Sequence, residues 1–600
     1  MERPALRRAC VILAVSGLVW SFAVSVTGGF VLDLSFLRVS SRNPRNPLLV
    51  ALLAVAAAWA CSPAGQRRRA VLVEWNWLAR SLETLVALFP VVRTRAAASG
   101  CAGLIALAVV VLGVLRGAPV VEGSDSYGYV SQAHLWATGM LRVEHPLIGK
   151  LPEGIAAEAV VPLGYRLSTD RTSLVPVYSP GLPILMAMFE RFGGPQAVFY
   201  VMPLLAGVAV SATYVLGMMI AGPLVGVLAA LLMATSPAFV FQLTHPPMSD
   251  IPATAWWASV LILVLRPSRS SALFAGIAAA AAILTRPNLV PLALVPGGLL
   301  IWDLQGKRMG RRVAVHRLLL FAAASIPACL FVAYLNDYWY GSPFAWGYGT
   351  LAGWYQWGYF GPNAGYYLRW AVDSQSPIIL VAVAAPFLLW RDRTVENGQP
   401  RTRAMLVVCS GFVLVVYACY AFYMPFDHWS FLRFLLPAFP VIFVLMSAAI
   451  LLLSARLRGR AHWVLPVVLV AVVISHSTRF GREHGAFDSS HELRFATVGR
   501  YIAERLPQHA VFLAMLHSGS ATYYSSRPTI RWDLIPPELL DVAIEHLQRL
   551  DYSPFILLDE TEAQDFVARF SGVNPLGTLD RPAIASVDGV KIYAVSQQPN

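Results

Sequence analysis

The feature that most constrains this 600-residue chain is a series of apolar runs, broken by short arginine-rich stretches, that continues from residue 9 to residue 475. Runs able, or nearly able, to cross about 30 Å of hydrocarbon occupy residues 9–32, 47–61, 100–116, 197–220, 224–242, 251–266, 272–285, 289–303, 318–335, 377–391, 404–424, 433–453 and 462–475. About thirteen spans are therefore expected. Only 13% of the residues are charged, about half the share of a soluble chain. The fold class expected is a polytopic α-helical membrane protein, with membrane lipids as its surroundings.

A net charge of +13 would ordinarily raise the question of nucleic acid. All but three of the basic residues (Lys150, Lys307 and Lys591) are Arg, however, and they cluster between the apolar runs. That is the pattern of cytoplasmic loops, and it removes nucleic acid as a partner. Arg3, Arg7 and Arg8 precede the first run and place the N-terminus inside. Alternation then puts Arg67–Arg69, Arg93, Arg95, Arg266, Arg269, Lys307–Arg317, Arg391–Arg403 and Arg456–Arg460 all on the cytoplasmic side. The first run is too long for a signal peptide and reads as an uncleaved anchor. The segment Val71–Val92 carries Glu74, Asn76, Arg80 and Glu83 between basic ends, which suits a helix lying in the interface. The six cysteines lie in or beside apolar runs and form no CxxC or Cys/His set, so neither disulfides nor zinc organise the chain.

Three units follow. Residues 1–95 hold two spans and the interfacial helix; residues 96–475 form the main transmembrane module, with outside loops at 117–196 and 336–376; residues 476–600 turn ordinary in composition. In this tail, strand-like Val511–Leu516, Pro554–Leu558 and Val587–Val595 alternate with helix-like Pro537–Leu550 and Thr561–Phe570. A small extracytoplasmic α/β domain is expected there.

The outside loops carry the ionisable residues. The first opens with Asp125, followed at helical spacing by Tyr129 and His134. Asp125 reads equally as a helix cap and as a catalytic carboxylate. The loop closes on Tyr178-Ser-Pro-Gly181, and the next outside turn delivers Asp250, which suits a helix cap, a substrate contact or a partner for Arg. Arg286 and Arg433 fall at outside span ends, where an arginine can snorkel to headgroups. The second loop is crowded with Tyr and Trp between Tyr338 and Trp370, suited to an interfacial belt or to stacking on sugar faces. His134, His145, His245 and His428 are too scattered for a metal-ligand spacing, so neither metal nor other cofactor is expected.

Taken in order, Asp125-Ser-x-x-Tyr129, Tyr178-Ser-Pro-Gly181, Pro247-Met-Ser-Asp250, Thr285-Arg286-Pro and Arg433-Phe-Leu-Leu-Pro437 resemble the GT-C superfamily of membrane glycosyltransferases. Within it the likeness is to bacterial relatives of the protein O-mannosyltransferases, which use dolichyl- or polyprenyl-phosphate mannose, and to the aminoarabinose transferases of lipid A. It covers about residues 95–475. The resemblance implies inverting transfer of a sugar from a polyprenyl-phosphate carrier to a glycan, lipid or protein acceptor on the outer face of a bacterial inner membrane. It implies Asp125 as the base and Tyr129, Tyr178, Asp250, Arg286 and Arg433 as substrate-binding residues, to which helical spacing from Asp125 adds His134. The family pairs Asp with Glu in its first loop; here Ser126 follows Asp125, which leaves one acid.

Two other readings compete, a transporter or flippase-like carrier and an inactive envelope scaffold. A carrier places ionisable groups mid-span in broken helices, whereas these spans are nearly free of acids. The topology is directly testable. A reporter active only outside the cytoplasm should be active when fused after Asn600, and a cytoplasm-only reporter there should be silent. The reverse pattern would overturn the odd number of spans.

Overall fold

The computed structural model describes residues 4–27, 30–34, 37–41, 45–62, 94–306, 309–391, 400–456 and 461–595. The expected interfacial helix at 71–92 lies outside the described residues. In hydrocarbon a backbone must satisfy its own hydrogen bonds, so the apolar runs become helices. Among the described residues five helices are long and apolar enough to cross a membrane: Arg95–Arg116, Pro195–Ala221, Arg311–Tyr340, Arg403–Ala421 and Trp429–Ala455. The chain is an integral membrane protein.

Proline accounts for two of the apolar runs that do not reappear as single long helices. The run at 224–242 is two helices, Pro223–Thr235 and Pro237–Thr244, bent by 56° where Pro237 interrupts the hydrogen-bond ladder. The run at 289–303 begins as a 3-10 helix, Pro287–Ala293, and becomes α-helical only over Leu294–Asp303. Asp250–Val264 and Arg269–Thr285 are apolar but short. The first run also ends earlier than its hydropathy suggests. The Pro4–Thr27 helix gives way to an antiparallel hairpin of β1 (Phe30–Leu34) and β2 (Leu37–Ser41), whose Phe, Val and Leu suit a strand as well as a span. A second hairpin, β3 (Tyr165–Leu167) with β4 (Leu174–Pro176), braces the first outside loop.

Arg317 is buried in the second turn of the Arg311–Tyr340 helix and donates to Asp303 Oδ2 at 2.6 Å and to the carbonyls of Val264 and Arg266 at 2.7 and 2.8 Å. It thus ties the ends of the Asp250–Val264 and Leu294–Asp303 helices to a third. Its charge is matched by one carboxylate and its fork by carbonyls, the only way a guanidinium sits stably there.

The tail holds a five-stranded sheet in the order β6 (Thr529–Ile530), β5 (Ala510–Leu513), β7 (Ser553–Leu558), β9 (Val590–Ala594), β8 (Ala585–Val587). β5 runs parallel to β6 and β7, and β9 runs antiparallel to β7 and β8. Alternate residues serve opposite faces. Phe512 and Leu557 pack with Val498 and Ile502 of the Leu493–Arg505 helix. Val511, Leu513, Ile556 and Leu558 pack toward Trp532, Phe566 and Phe570. Both faces are covered, which is why these strands read as apolar throughout.

Replacing Arg317 with Met should cost about 3–5 kcal/mol, because Asp303 stays buried without its cation. The measurement is the thermal midpoint of the detergent-solubilised protein, with Arg317→Met/Asp303→Leu predicted to recover much of the loss.

Candidate active site

The first loop begins where the Arg95–Arg116 helix ends, and it turns into a new helix at Asp125–Thr138. Asp125 does not cap this helix. The Glu122 carboxylate accepts the Ser126 N–H at 3.4 Å, and Ser126 Oγ accepts the Glu122 N–H at 2.8 Å. This reciprocal pairing, four residues apart, satisfies the Ser126 N–H of the first helical turn without using Asp125. The Asp125 side chain is left free to leave the helix. It accepts a hydrogen bond from the Tyr178 hydroxyl on Oδ1, and its Oδ2 lies 3.8 Å from Arg433 Nη2. Tyr178 reaches Asp125 across Gly128, where a Cβ would fall 2.2 Å from the tyrosine ring, so only glycine fits. Tyr129 packs on Tyr178 with ring centroids 4.6 Å apart and planes tilted by 36°, and donates to Ser249 Oγ at 3.0 Å.

The second carboxylate arrives from the turn before the Asp250–Val264 helix. Asp250 is 1% exposed, and its Oδ1 accepts from Arg286 Nη1 at 2.7 Å. Arg286 sits where the Arg269–Thr285 helix must stop, because Pro287 disfavours a helical residue before it. Its guanidinium lies beside the rings of Phe434 and Tyr420, at 5.7 and 6.0 Å from their centroids. Arg433 projects from the 3-10 turn Trp429–Ala438, touches Met248 Sδ, and packs near the rings of Phe431 and Phe434. Its Nε is buried without a partner. Neither arginine is turned out to headgroups.

These groups line one cavity of about 370 Å³, to which Asp125, Tyr129, Tyr178, Asp250, Arg286 and Arg433 all contribute. His134 does not join them. Its side chain is 59% exposed, and its Nδ1 pairs with Glu190 at 2.7 Å on the outer side of the helix. His145, His245 and His428 are likewise spent locally, on the Leu147 N–H, on Thr244 and Phe241, and on Ser430. Among the described residues no three His, Cys, Asp or Glu side chains gather as a metal set.

The second loop supplies a wall of rings. Trp339, Tyr340, Trp346, Tyr348 and Trp354 line the cavity, whereas Phe344 and Trp357 point away and are largely exposed. The loop is held to the first by Tyr340 Oη donating to the Pro176 carbonyl at 2.6 Å and Trp339 Nε1 donating to the Leu141 carbonyl at 3.1 Å. Sequence reasoning missed the facing wall of Tyr420, Tyr423, Phe426, Phe431 and Phe434. These rings sit where an apolar run ends and read there simply as membrane. Buried Asn363 turns them inward, its Nδ2 donating to the carbonyls of Tyr420, Ala421 and Tyr423 at the helix end.

Three residues before Asp125, and not among the residues that line the cavity, stands a second acid, Glu122. Burial first, then the charges of Asp125 and Glu492, push its carboxyl up from an ordinary 4.5 to about 8. Near neutral pH it therefore keeps a proton, and the cavity carries two carboxylates against two guanidiniums. Burial and the nearby Asp125 charge also hold the Tyr178 phenol well above its usual range, so it remains a donor to Asp125. A carboxyl whose pKa is raised in the folded state confers stability that is present below about 4.5 and lost as pH rises through about 8. The thermal midpoint of the wild type should fall across that window relative to Glu122→Gln, which has no proton to lose. Parallel curves for the two proteins would show that Glu122 is not raised.

No family model matches the sequence, and no curated protein shows significant similarity to it. Solved structures do match. The archaeal oligosaccharyltransferase AglB from Archaeoglobus fulgidus, in complex with an inhibitory peptide and a dolichol-phosphate, aligns with TM-score 0.53 and 12% identity over 80% of this chain and 72% of its own. ArnT from Cupriavidus metallidurans, bound to undecaprenyl phosphate, aligns with TM-score 0.48 and 13% identity over 82% of this chain and 97% of its own. At such identity the likeness speaks to the fold alone, which this chain shares with the oligosaccharyltransferase AglB.

Proposed function

We propose that this chain is a glycosyltransferase that moves a sugar from a polyprenyl-phosphate carrier to an acceptor hydroxyl or amine at the outer face of the membrane, with inversion. The observation that carries the reading is the juxtaposition in one aromatic-walled cavity of a carboxylate free of any capping duty, Asp125, with two guanidiniums, Arg286 and Arg433.

Each group has a chemical task. Asp125 takes the acceptor proton as the acceptor atom attacks the anomeric carbon, a contribution of about 10²–10⁴ in rate. Tyr178 holds Asp125 Oδ1 by a hydrogen bond, while Arg433 stands 3.8 Å from Oδ2 and leaves that oxygen unbonded by its guanidinium. Phosphate departs from the opposite side of the sugar, which inverts the anomeric centre, and the developing charge meets Arg286 and Arg433. Asp250 orients Arg286 without being exposed itself. The unpaired donors Arg433 Nε and Trp346 Nε1, both on cavity residues, suit an anionic and hydroxyl-rich ligand. The tryptophan and tyrosine walls offer stacking surface to a sugar ring or an isoprenoid. The dolichol-phosphate bound to AglB makes a polyprenyl-phosphate sugar the first donor class to test.

In this reading the chain spans a bacterial inner membrane with both large loops outside. The 476–600 tail forms an extracytoplasmic α/β domain, and the acceptor is an envelope glycan, lipid or protein.

The test is to incubate purified protein with radiolabelled polyprenyl-phosphate sugars and envelope fractions, then follow which label moves. Asp125→Asn should lower transfer about a hundredfold or more while the protein stays folded. Arg433→Ala should lower kcat/KM for the carrier, because it removes a cation from the departing phosphate. Near-normal transfer by Asp125→Asn would remove the base and direct attention to Asp250.

A further inference from the structure

The buried polar groups of the tail have no part in the mechanism above, yet they converge on one point of the first loop. Glu562 accepts the Leu516 N–H on Oε1 at 2.8 Å and the Asp559 N–H on Oε2 at 3.2 Å. Asp559 in turn takes Arg494 Nε at 2.8 Å, Thr561 Oγ1 at 3.0 Å and lies 3.3 Å from His517 Nε2. Together these bonds fix a tight turn, Leu516–Ser518, between β5 and the Ser518–Ser525 helix.

That turn presses on the residues flanking Asp125. A Cβ at Gly123 would lie 1.5 Å from the Leu516 carbonyl oxygen, so the two backbones touch with nothing between them. A Cβ at Gly519 would fall 2.4 Å from the Tyr127 ring and 2.5 Å from the Gly123 carbonyl. Tyr524 Oη accepts the Val121 N–H at 2.8 Å, and Ser518 Oγ accepts the Leu163 N–H at 3.1 Å. The segment 121–127, with Asp125 near its middle, is therefore held from behind by the tail and not by its own loop alone.

We propose that Glu562, Asp559 and Tyr524 are positioning residues for Asp125, acting through the Leu516–Ser518 turn. The inference rests on the reading of Asp125 as the base. A catalytic carboxylate misplaced by 1 Å loses about a hundredfold in rate, and Asp125 sits on the first turn of its helix, where the entry of the chain sets its direction. The tail supplies that entry with a rigid, internally bonded backing.

The experiment uses the full-length protein in detergent and two variants. Glu562→Ala removes both backbone acceptors, and Tyr524→Phe deletes the acceptor for Val121 with almost no change of volume. Exposed Lys591→Ala, on β9, is the control. Amide hydrogen exchange across 119–130 should quicken in both variants and not in the control. The kcat for sugar transfer should fall, by about ten- to a hundredfold in Glu562→Ala, with KM for the lipid-linked donor within about twofold. Glu562→Gln, which keeps one acceptor oxygen, should recover part of the loss. Folded variants with wild-type exchange and kcat, or a loss confined to KM, would overturn the proposal. If the wild type transfers no sugar while exchange still responds to both variants, the coupling stands and the function given to Asp125 falls. If transfer is present and lost in Asp125→Asn, yet neither variant moves exchange or kcat, the coupling alone falls.

Discussion

Two carboxylates and two guanidiniums share a cavity at the edge of an apolar bundle, and this balance governs the rest of the site. An isolated ion there would be strongly disfavoured, whereas a set of matched pairs is stable if its lone pairs and protons find partners. Asp250 and Arg286 are bonded directly at 2.7 Å, with only 1% and 15% of their side chains exposed. Asp125 and Arg433 are looser at 3.8 Å, with 27% and 17% exposed. The tight pair behaves as a fixture, and under the proposed function the loose pair is the working contact. A group that must gain a proton from an acceptor needs space on one side and a cation that stabilises its charge without occupying it.

The loose pair is possible only because helix capping is done by other residues. Had Asp125 served as the cap, its oxygens would face the backbone. Glu122 and Ser126 take that duty between them. The same arrangement buries Glu122 beside Asp125, and the proton it retains keeps a third negative charge away from the pair. Local helix chemistry and the charge state of the cavity are therefore one problem, solved within five residues.

Much of this was legible in the sequence, and the failures are instructive. Asp125, Tyr178, Asp250, Arg286 and Arg433 could be singled out because a charged or Pro-Gly-flanked polar residue at the end of an apolar run stands out against its surroundings. His134 was grouped with them by helical spacing, but spacing says which face of a helix a residue shares and not which neighbour that face meets. The Asp125–Thr138 helix turns His134 to Glu190. The rings from Tyr420 to Phe434 escaped notice for the opposite reason. Apolar residues at a span end carry no signal of their own, and what turns them inward is one amide, Asn363, some 60 residues upstream. The proline breaks at 237 and 287–291 were present in the sequence, but hydropathy averages over them, so two interrupted segments read as whole spans.

The replacement of an Asp-Glu pair by Asp125-Ser126 looks at first like the loss of an acid. In the folded chain a different acid, Glu122, stands three residues before Asp125. A carboxyl directly after Asp125 would sit about 100° around the helix, whereas Glu122 lies before the first turn and reaches back to the Ser126 N–H. Serine at 126 is what makes this work, because its hydroxyl returns the bond to the Glu122 backbone. Glu122 is itself held by its bonds to Ser126 and by the tail turn packed on Gly123, so a backbone constraint fixes it at the point where the tail meets the loop.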